Sequence, residues 1–304
     1  MSPRSALEHT AMDLRGKSAV VTGGGNGIGA ALCLAFAERG VNVVVADIEA
    51  DAAVAVAAEA AELGVGSLGL GVDVTDESSV RTLADSSWRE FGNVDILVNN
   101  AGVMNAISPL HECSAADFDW VFAVNVRGAM NGIRAFVPRF LASKGPGRVA
   151  NTASEHALGV PHVGAGVYTA SKHALLGLSD VLRRELPARV KVSVLCPGIV
   201  DSSLWRAGAR RQAEFGGPSD APATGGAFMS RTGMPAAEVA AAAVEGIRTG
   251  RFYIVTHPHA VGIARRRWTE VDRAFAQQAP RCEGDEKYDL EPILGSLASG
   301  SGTT

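Results

Sequence analysis

The run Ser18-Ala19-Val20-Val21-Thr22-Gly23-Gly24-Gly25-Asn26-Gly27-Ile28-Gly29 decides how this chain folds. Its first half is apolar and β-branched and predicts a buried strand, which breaks after Thr22 into a glycine-rich turn. A helical pattern follows over residues 28–39 and is stopped by Gly40. Gly23, Gly27 and Gly29 are spaced so that the backbone can turn tightly and approach a pyrophosphate seated on the N-terminus of that helix. Glycines alone are a weak sign. The strand before them and the helix after them make a dinucleotide-binding turn the better reading than a simple loop.

Outward from this unit the chain keeps alternating. Strands are predicted over residues 41–46, 68–74, 94–98, 148–152, 191–195 and 252–255, and helices over 50–63, 77–91, 117–141, 168–186 and 236–249. Alternating strands and helices imply an α/β fold, with a doubly wound parallel sheet of about seven strands and helices on both faces. Several strands are continuous apolar runs, as burial on both faces requires. The series has no linker-like break, so one domain is expected over residues 14–280. Residues 1–13 are expected to be a flexible N-terminus and 281–304 a disordered tail. Residues 201–233, rich in Gly, Pro, Ala and Ser, read as a flap with a short helix.

Composition narrows the function. Among 304 residues 47% are hydrophobic and 20% charged, which suits a globular protein with a large core. A net charge of −4 argues against a general nucleic-acid binder. Cys33, Cys113, Cys196 and Cys282 are scattered without CxxC spacing, so a reduced intracellular protein is expected rather than a disulfide scaffold. The first 13 residues lack an apolar signal core, and no long uncharged apolar run occurs. A soluble cytoplasmic protein without membrane association is the expectation.

Two constellations carry chemistry. Asp47 lies 18 residues beyond Gly29, at the end of the second predicted strand. A carboxylate there accepts hydrogen bonds from ribose hydroxyls and repels a 2′-phosphate, so NAD is favoured over NADP. The plainer role for Asp47, capping the next helix, is compatible with the same cofactor. Tyr168 and Lys172 stand one helical turn apart, with Ser154 upstream. A cation about 5 Å from a phenol, at an effective dielectric of about 20, favours the phenolate by roughly 3 kcal/mol, or about two pK units. That tunes a tyrosine for proton transfer near neutral pH.

Residues 14–255 resemble the short-chain dehydrogenase/reductases. The family's TGxxxGxG turn is matched by residues 22–29, its Asn-Asn-Ala-Gly segment by Asn99-Asn100-Ala101-Gly102, and its YxxxK pair by Tyr168 and Lys172. Its catalytic asparagine and serine correspond to Asn125 and Ser154, and its Pro-Gly to Pro197-Gly198. The resemblance implies a Rossmann fold in which Tyr168 is general acid/base, Lys172 lowers its pKa, Ser154 holds the substrate oxygen and Asn125 orders a water. It also implies that Asn26 and Ile28 belong to the phosphate turn, that Asp73 and Val74 flank the adenine, and that Asn99, Ala101 and Gly102 border the nucleotide. Ile199 and Ser202 then lie near the nicotinamide amide. Ser154 and Tyr168 are 14 positions apart where 13 is commonest, so residues 155–167 must absorb one more. A homodimer or homotetramer is implied by analogy.

By the same analogy Met104, His156, Val160, Pro161, Val163, Leu204 and Trp205 wall the substrate pocket. Most are apolar, which points to a hydrophobic or aromatic secondary alcohol, or its ketone, as the small-molecule partner. His257-Pro258-His259 reads as a turn rather than a metal site, because no acidic or cysteine partner lies close in sequence. Arg265-Arg266-Arg267 reads as a solvated helix face or subunit contact. The leading expectation is an NAD-dependent oxidoreductase acting on CH–OH groups. A 3-oxoacyl thioester reductase is disfavoured by Asp47, and a non-catalytic nucleotide sensor by the intact Asn125, Ser154, Tyr168 and Lys172.

Overall fold

Valine, leucine, isoleucine and alanine fill the strands because both faces of the sheet are covered. The computed structural model describes residues 11–219 and 225–290. Its main sheet is parallel throughout and contains β1 (Ser18–Thr22), β2 (Asn42–Asp47), β3 (Ser67–Gly71), β4 (Ile96–Asn99), β5 (Gly147–Thr152) and β6 (Val190–Cys196). A separate parallel pair, β7 (Val200–Asp201) with β8 (Met234–Pro235), lies outside it, and β9 (Tyr253–Val255) completes it. The strand order is β3-β2-β1-β4-β5-β6-β9. Neighbouring residues on a strand serve opposite layers. Val21, Val45 and Val98 pack with Leu32, Phe36 and Ile247, whereas Val20, Val44 and Leu97 pack with Leu83, Phe136 and Phe140.

The helices on these faces include α1 (Gly27–Ala37), α2 (Ala50–Glu62) and α3 (Glu77–Phe91). The helical stretch predicted over 117–141 is longer and interrupted. It consists of α4 (Ala115–Phe122), a π-helical turn (Ala123–Arg127) and α5 (Gly128–Ser143). A π turn carries a surplus residue, which leaves backbone groups free and often marks a functional position. Asn125 occupies it. Next come α6 (Gly166–Glu185), α7 (Gly225–Thr232), α8 (Ala236–Thr249) and α9 (Ala260–Gln278), the last carrying the arginine run 265–267. The third strand is shorter than predicted, since its pairing with β2 ends at Gly71. The compact units divide after Ile263. The first, 1–263, holds all the described strands; the second, 264–304, begins within α9.

Two tight features position the site. A Cβ on Gly29 would lie 1.9 Å from the Gly23 carbonyl oxygen, so α1 can start against the turn only with glycine there. Beneath the site a buried polar line crosses the sheet to α6. Asn99 Nδ2 donates to Asn151 Oδ1 at 2.9 Å, and Asn151 Nδ2 donates to Ser179 Oγ at 2.8 Å. Truncating the middle member leaves the Asn99 amide without its acceptor and takes one donor from Ser179 Oγ, which keeps its bond to the Leu175 carbonyl. Asn151→Ala is therefore expected to cost roughly 2–4 kcal/mol. Urea denaturation checks this; a loss under about 1 kcal/mol would contradict it.

Candidate active site

The glycine turn, the segment after β4, the ends of β5 and β6 and the first turns of α6 surround one cavity of about 480 Å³. The segment after β4 is stapled to the glycine turn. Asn100 Nδ2 donates to the carbonyls of Thr22 and Gly23, each at 3.1 Å, and Thr22 Oγ1 accepts from the Asn100 and Ala101 N–H groups. Asp47 ends β2 beside the turn. Its carboxylate is buried and accepts from the N–H groups of Gly25, at 2.9 Å, and Glu49, at 3.0 Å. A carboxylate has about four acceptor positions, so two are left over to meet hydroxyl donors. The glycine approach, the helix N-terminus and this acid are what a dinucleotide's pyrophosphate and ribose require.

At the other end stand the candidates for chemistry. Tyr168 and Lys172 lie one turn apart on the buried face of α6, with Nζ 5.4 Å from the centre of the phenol ring. Lys172 Nζ donates to the Thr152 carbonyl at 2.8 Å. Ser154 is buried beside them and lines the same cavity. Asn125 does not line it. Its amide instead ties the π turn to both neighbours, accepting from Val103 N–H at 2.8 Å and donating to Val103 C=O and, at 2.9 Å, to Ser171 Oγ. Ser171 Oγ in turn donates to the Tyr168 carbonyl at 2.7 Å.

The electrostatics differ from the Coulomb expectation. Burial dominates and pushes the Tyr168 phenol up to about 12, with hydrogen bonding from Ser154 acting downward and the Glu155 carboxylate upward. Lys172 is itself pulled down to about 8, chiefly by burial. The ammonium's charge is spent on the Thr152 carbonyl as much as on the phenol. His156, open to question in the sequence, is buried, with Nδ1 2.7 Å from Thr169 Oγ1 and its ring edge-on to Tyr168. Burial, with smaller contributions from His162, His173 and Lys172, holds it down at about 4, so it is neutral.

Of the other residues proposed for the cofactor, Gly23, Asn26, Gly27, Ile28, Gly29, Asp73, Val74, Ala101, Gly102, Pro197, Gly198, Ile199 and Ser202 line the cavity. Asn99 does not: it lies under the sheet's end, tied to Asn151. Met104, His156 and Leu204 line the pocket, but Val160, Pro161, Val163 and Trp205 do not. Val160 and Val163 are exposed, in the segment that follows a short turn at Glu155–Ala157. Sequence reasoning missed Ile107 and His162, which line the cavity from loops, and Phe228, which lines it from α7. It also missed two flap residues. Arg210 reaches Glu49 at 3.0 Å, and Gln212 Nε2 donates to Asp73 Oδ2 at 3.0 Å. No local pattern sets Arg210 apart from the flap's other arginines, Arg206, Arg211 and Arg231.

Residues 17–213 match the family model described as short chain dehydrogenase. The chain belongs to the short-chain dehydrogenase family. It is similar to a 1-deoxy-11-beta-hydroxypentalenate dehydrogenase of Streptomyces avermitilis, 36% identical over 95% of this chain and 99% of the relative. A C alpha-dehydrogenase of a Sphingobium species is 29% identical over 81% of this chain and 82% of its own. Among solved structures, a short-chain dehydrogenase/reductase from Burkholderia phymatum in complex with NAD aligns with TM-score 0.80 at 33% identity, covering 89% of this chain and 99% of that one. This short-chain dehydrogenase is an oxidoreductase acting on the CH–OH group of a small alcohol or the carbonyl of its ketone, in a family that binds nicotinamide cofactors. No described helix is long and apolar enough to cross a membrane.

The Lys172 shift predicts a pH dependence. With its folded value near 8 and its ordinary value at 10.5, the cost of the buried charge is fully present below about 8 and fades as pH rises toward 10.5, where the unfolded chain holds the extra proton. The parent should therefore gain on Lys172→Met by roughly 2–3 kcal/mol between about pH 7 and about pH 10. Urea denaturation of both proteins across that range measures it. A gap that stays constant or moves the other way contradicts the assigned shift.

Proposed function

We propose that this enzyme interconverts a hydrophobic secondary alcohol and its ketone with NAD, using Tyr168 as general acid/base. The observation that carries this is the meeting of Ser154, Tyr168 and Lys172 in the cavity whose other end is the glycine turn and Asp47. The bound nicotinamide supplies or accepts the hydride. Everything else falls to the chain. Ser154 Oγ donates a hydrogen bond to the substrate oxygen and stabilises charge on it. Tyr168 gives a proton to that oxygen in reduction and takes one in oxidation. A phenol held near 12 is fully protonated at neutral pH and ready as the acid. Lys172 keeps a positive potential beside the ring, and Asn125 fixes the turn that holds Val103 and the Tyr168 helix together.

Asp47 supports NAD, because a 2′-phosphate beside a buried carboxylate meets like charge. Arg210 comes near but is paired with Glu49. Met104, Ile107, Leu204 and Phe228 make the substrate end apolar, which supports a terpenoid, steroid-like or aromatic alcohol. The hydroxypentalenate dehydrogenase named above is consistent with an alcohol as substrate. Exposed Phe118, Met130 and Leu141 on α4 and α5, and Val181 on α6, support a homo-oligomer.

Tyr168→Phe should lower kcat at least about a thousandfold, the general acid/base contribution, while NAD binding measured by calorimetry stays within about threefold. Turnover retained in this variant removes the proposed acid/base. Asp47→Ala should raise the NADP-to-NAD ratio of kcat/KM at least about tenfold, since one removed like-charge contact is worth more than 1.4 kcal/mol. A parent that already prefers NADP would overturn the cofactor reading.

A further inference from the structure

The pair of histidines around Pro258 is used by neither the fold's core nor the chemistry above. A metal does not account for it: among the described residues no group of three or more His, Cys, Asp or Glu could hold one. Its hydrogen bonds run elsewhere, to the 197–199 loop that lines the cavity beside Ser154. The Gly198 N–H donates to His257 Nδ1 at 3.0 Å, and His257 Nε2 lies 3.0 Å from the Ile199 carbonyl. An amide N–H can only donate and a carbonyl can only accept. Both bonds therefore require the uncharged ring with its proton on Nε2. Thr256 Oγ1 also lies 2.8 Å from Nδ1, so its hydroxyl and the Gly198 N–H share that nitrogen's one lone pair.

The opposite side of the loop is closed by Glu155. Its N–H donates to the Pro197 carbonyl at 2.8 Å, and its buried carboxylate lies 2.8 Å from His259 Nε2. Gly198 is trapped between them. A Cβ there would stand 2.8 Å from the His257 ring and 3.1 Å from Glu155 Oε2. The loop is thus gripped at consecutive main-chain groups by one imidazole, with a carboxylate at its back. Free, a glycine-containing loop after a strand would sample many backbone states, and a ligand would have to order it.

We propose that His257 is a positioning residue that holds the 197–199 loop in its dinucleotide-receptive shape, with the Glu155–His259 pair bracing it from behind. The proposal rests on the reading of the groove as the dinucleotide site. It assigns the His-Pro-His segment a role in cofactor affinity and none in proton transfer.

The test compares His257→Ala, His257→Asn and His257→Gln with the parent by amide hydrogen exchange at Gly198 and by calorimetric titration with NAD. Asn keeps an acceptor where Nδ1 was; Gln carries its amide out at the distance of Nε2 and has no acceptor at the Nδ1 position. In the Ala and Gln variants Gly198 should exchange at least about tenfold faster, and in Ala the Kd for NAD should rise about tenfold, as two lost neutral hydrogen bonds imply. The Asn variant should stay within about threefold of the parent in Gly198 exchange. Unchanged Gly198 exchange in the Ala variant, or an Asn variant as impaired as Ala, overturns the clamp. If the parent binds NAD and the Ala variant binds it equally well, this inference alone fails. If the parent takes up no NAD, the reading of the groove fails with it.

Discussion

A lysine ammonium bonded to a main-chain carbonyl inside the protein constrains everything near it. Lys172 Nζ donates to the Thr152 carbonyl at the end of β5, and both residues are buried. Removing a charge from water is costly unless it is paired or hydrogen-bonded. One charge-assisted bond offsets part of that cost, and the depressed titration of Lys172 shows that some of it is left. The bond also fixes the rotation of α6 against the sheet. Once Lys172 faces Thr152, Tyr168, one turn earlier, faces the cavity next to Ser154.

The balance at the phenol follows from magnitudes. A point-charge estimate at an effective dielectric of about 20 pulls the phenol down by about two pK units. The structure moves it the other way, to about 12, because the ring is buried and Glu155 adds a negative charge nearby. Desolvation of a group within the core outweighs the pull of one nearby cation. The free enzyme thus holds its proton firmly. That suits a site whose acid is to be used only when a substrate oxygen lies against Ser154 and Tyr168.

Much of this was legible in the residues. The glycine turn, the bounds of α3 and α8, the parallel sheet and the Tyr168–Lys172 turn all follow from local pattern, because each is fixed by spacing on a single element. What escaped depends on contacts between distant segments. Arg210 meets Glu49 across 161 positions, and His257 meets Gly198 across 59, with no periodicity linking either pair. The π turn at Ala123–Arg127 looks like continuous helix, since a surplus residue changes the hydrogen bonds and not the apolar pattern. Val160 and Val163 suggested a pocket wall by their apolar character. Both face solvent instead, and no rule of composition distinguishes the two outcomes.

An ultraviolet difference titration of the parent against Tyr168→Phe, without nucleotide, isolates this one phenol. Placement of its hydroxyl in a dry pocket predicts that the difference signal stays silent through the ordinary tyrosine value of 10.0 and emerges near 12. A phenol that ionises at or below 10.0 would mean that the neighbouring ammonium, and not burial, governs the site.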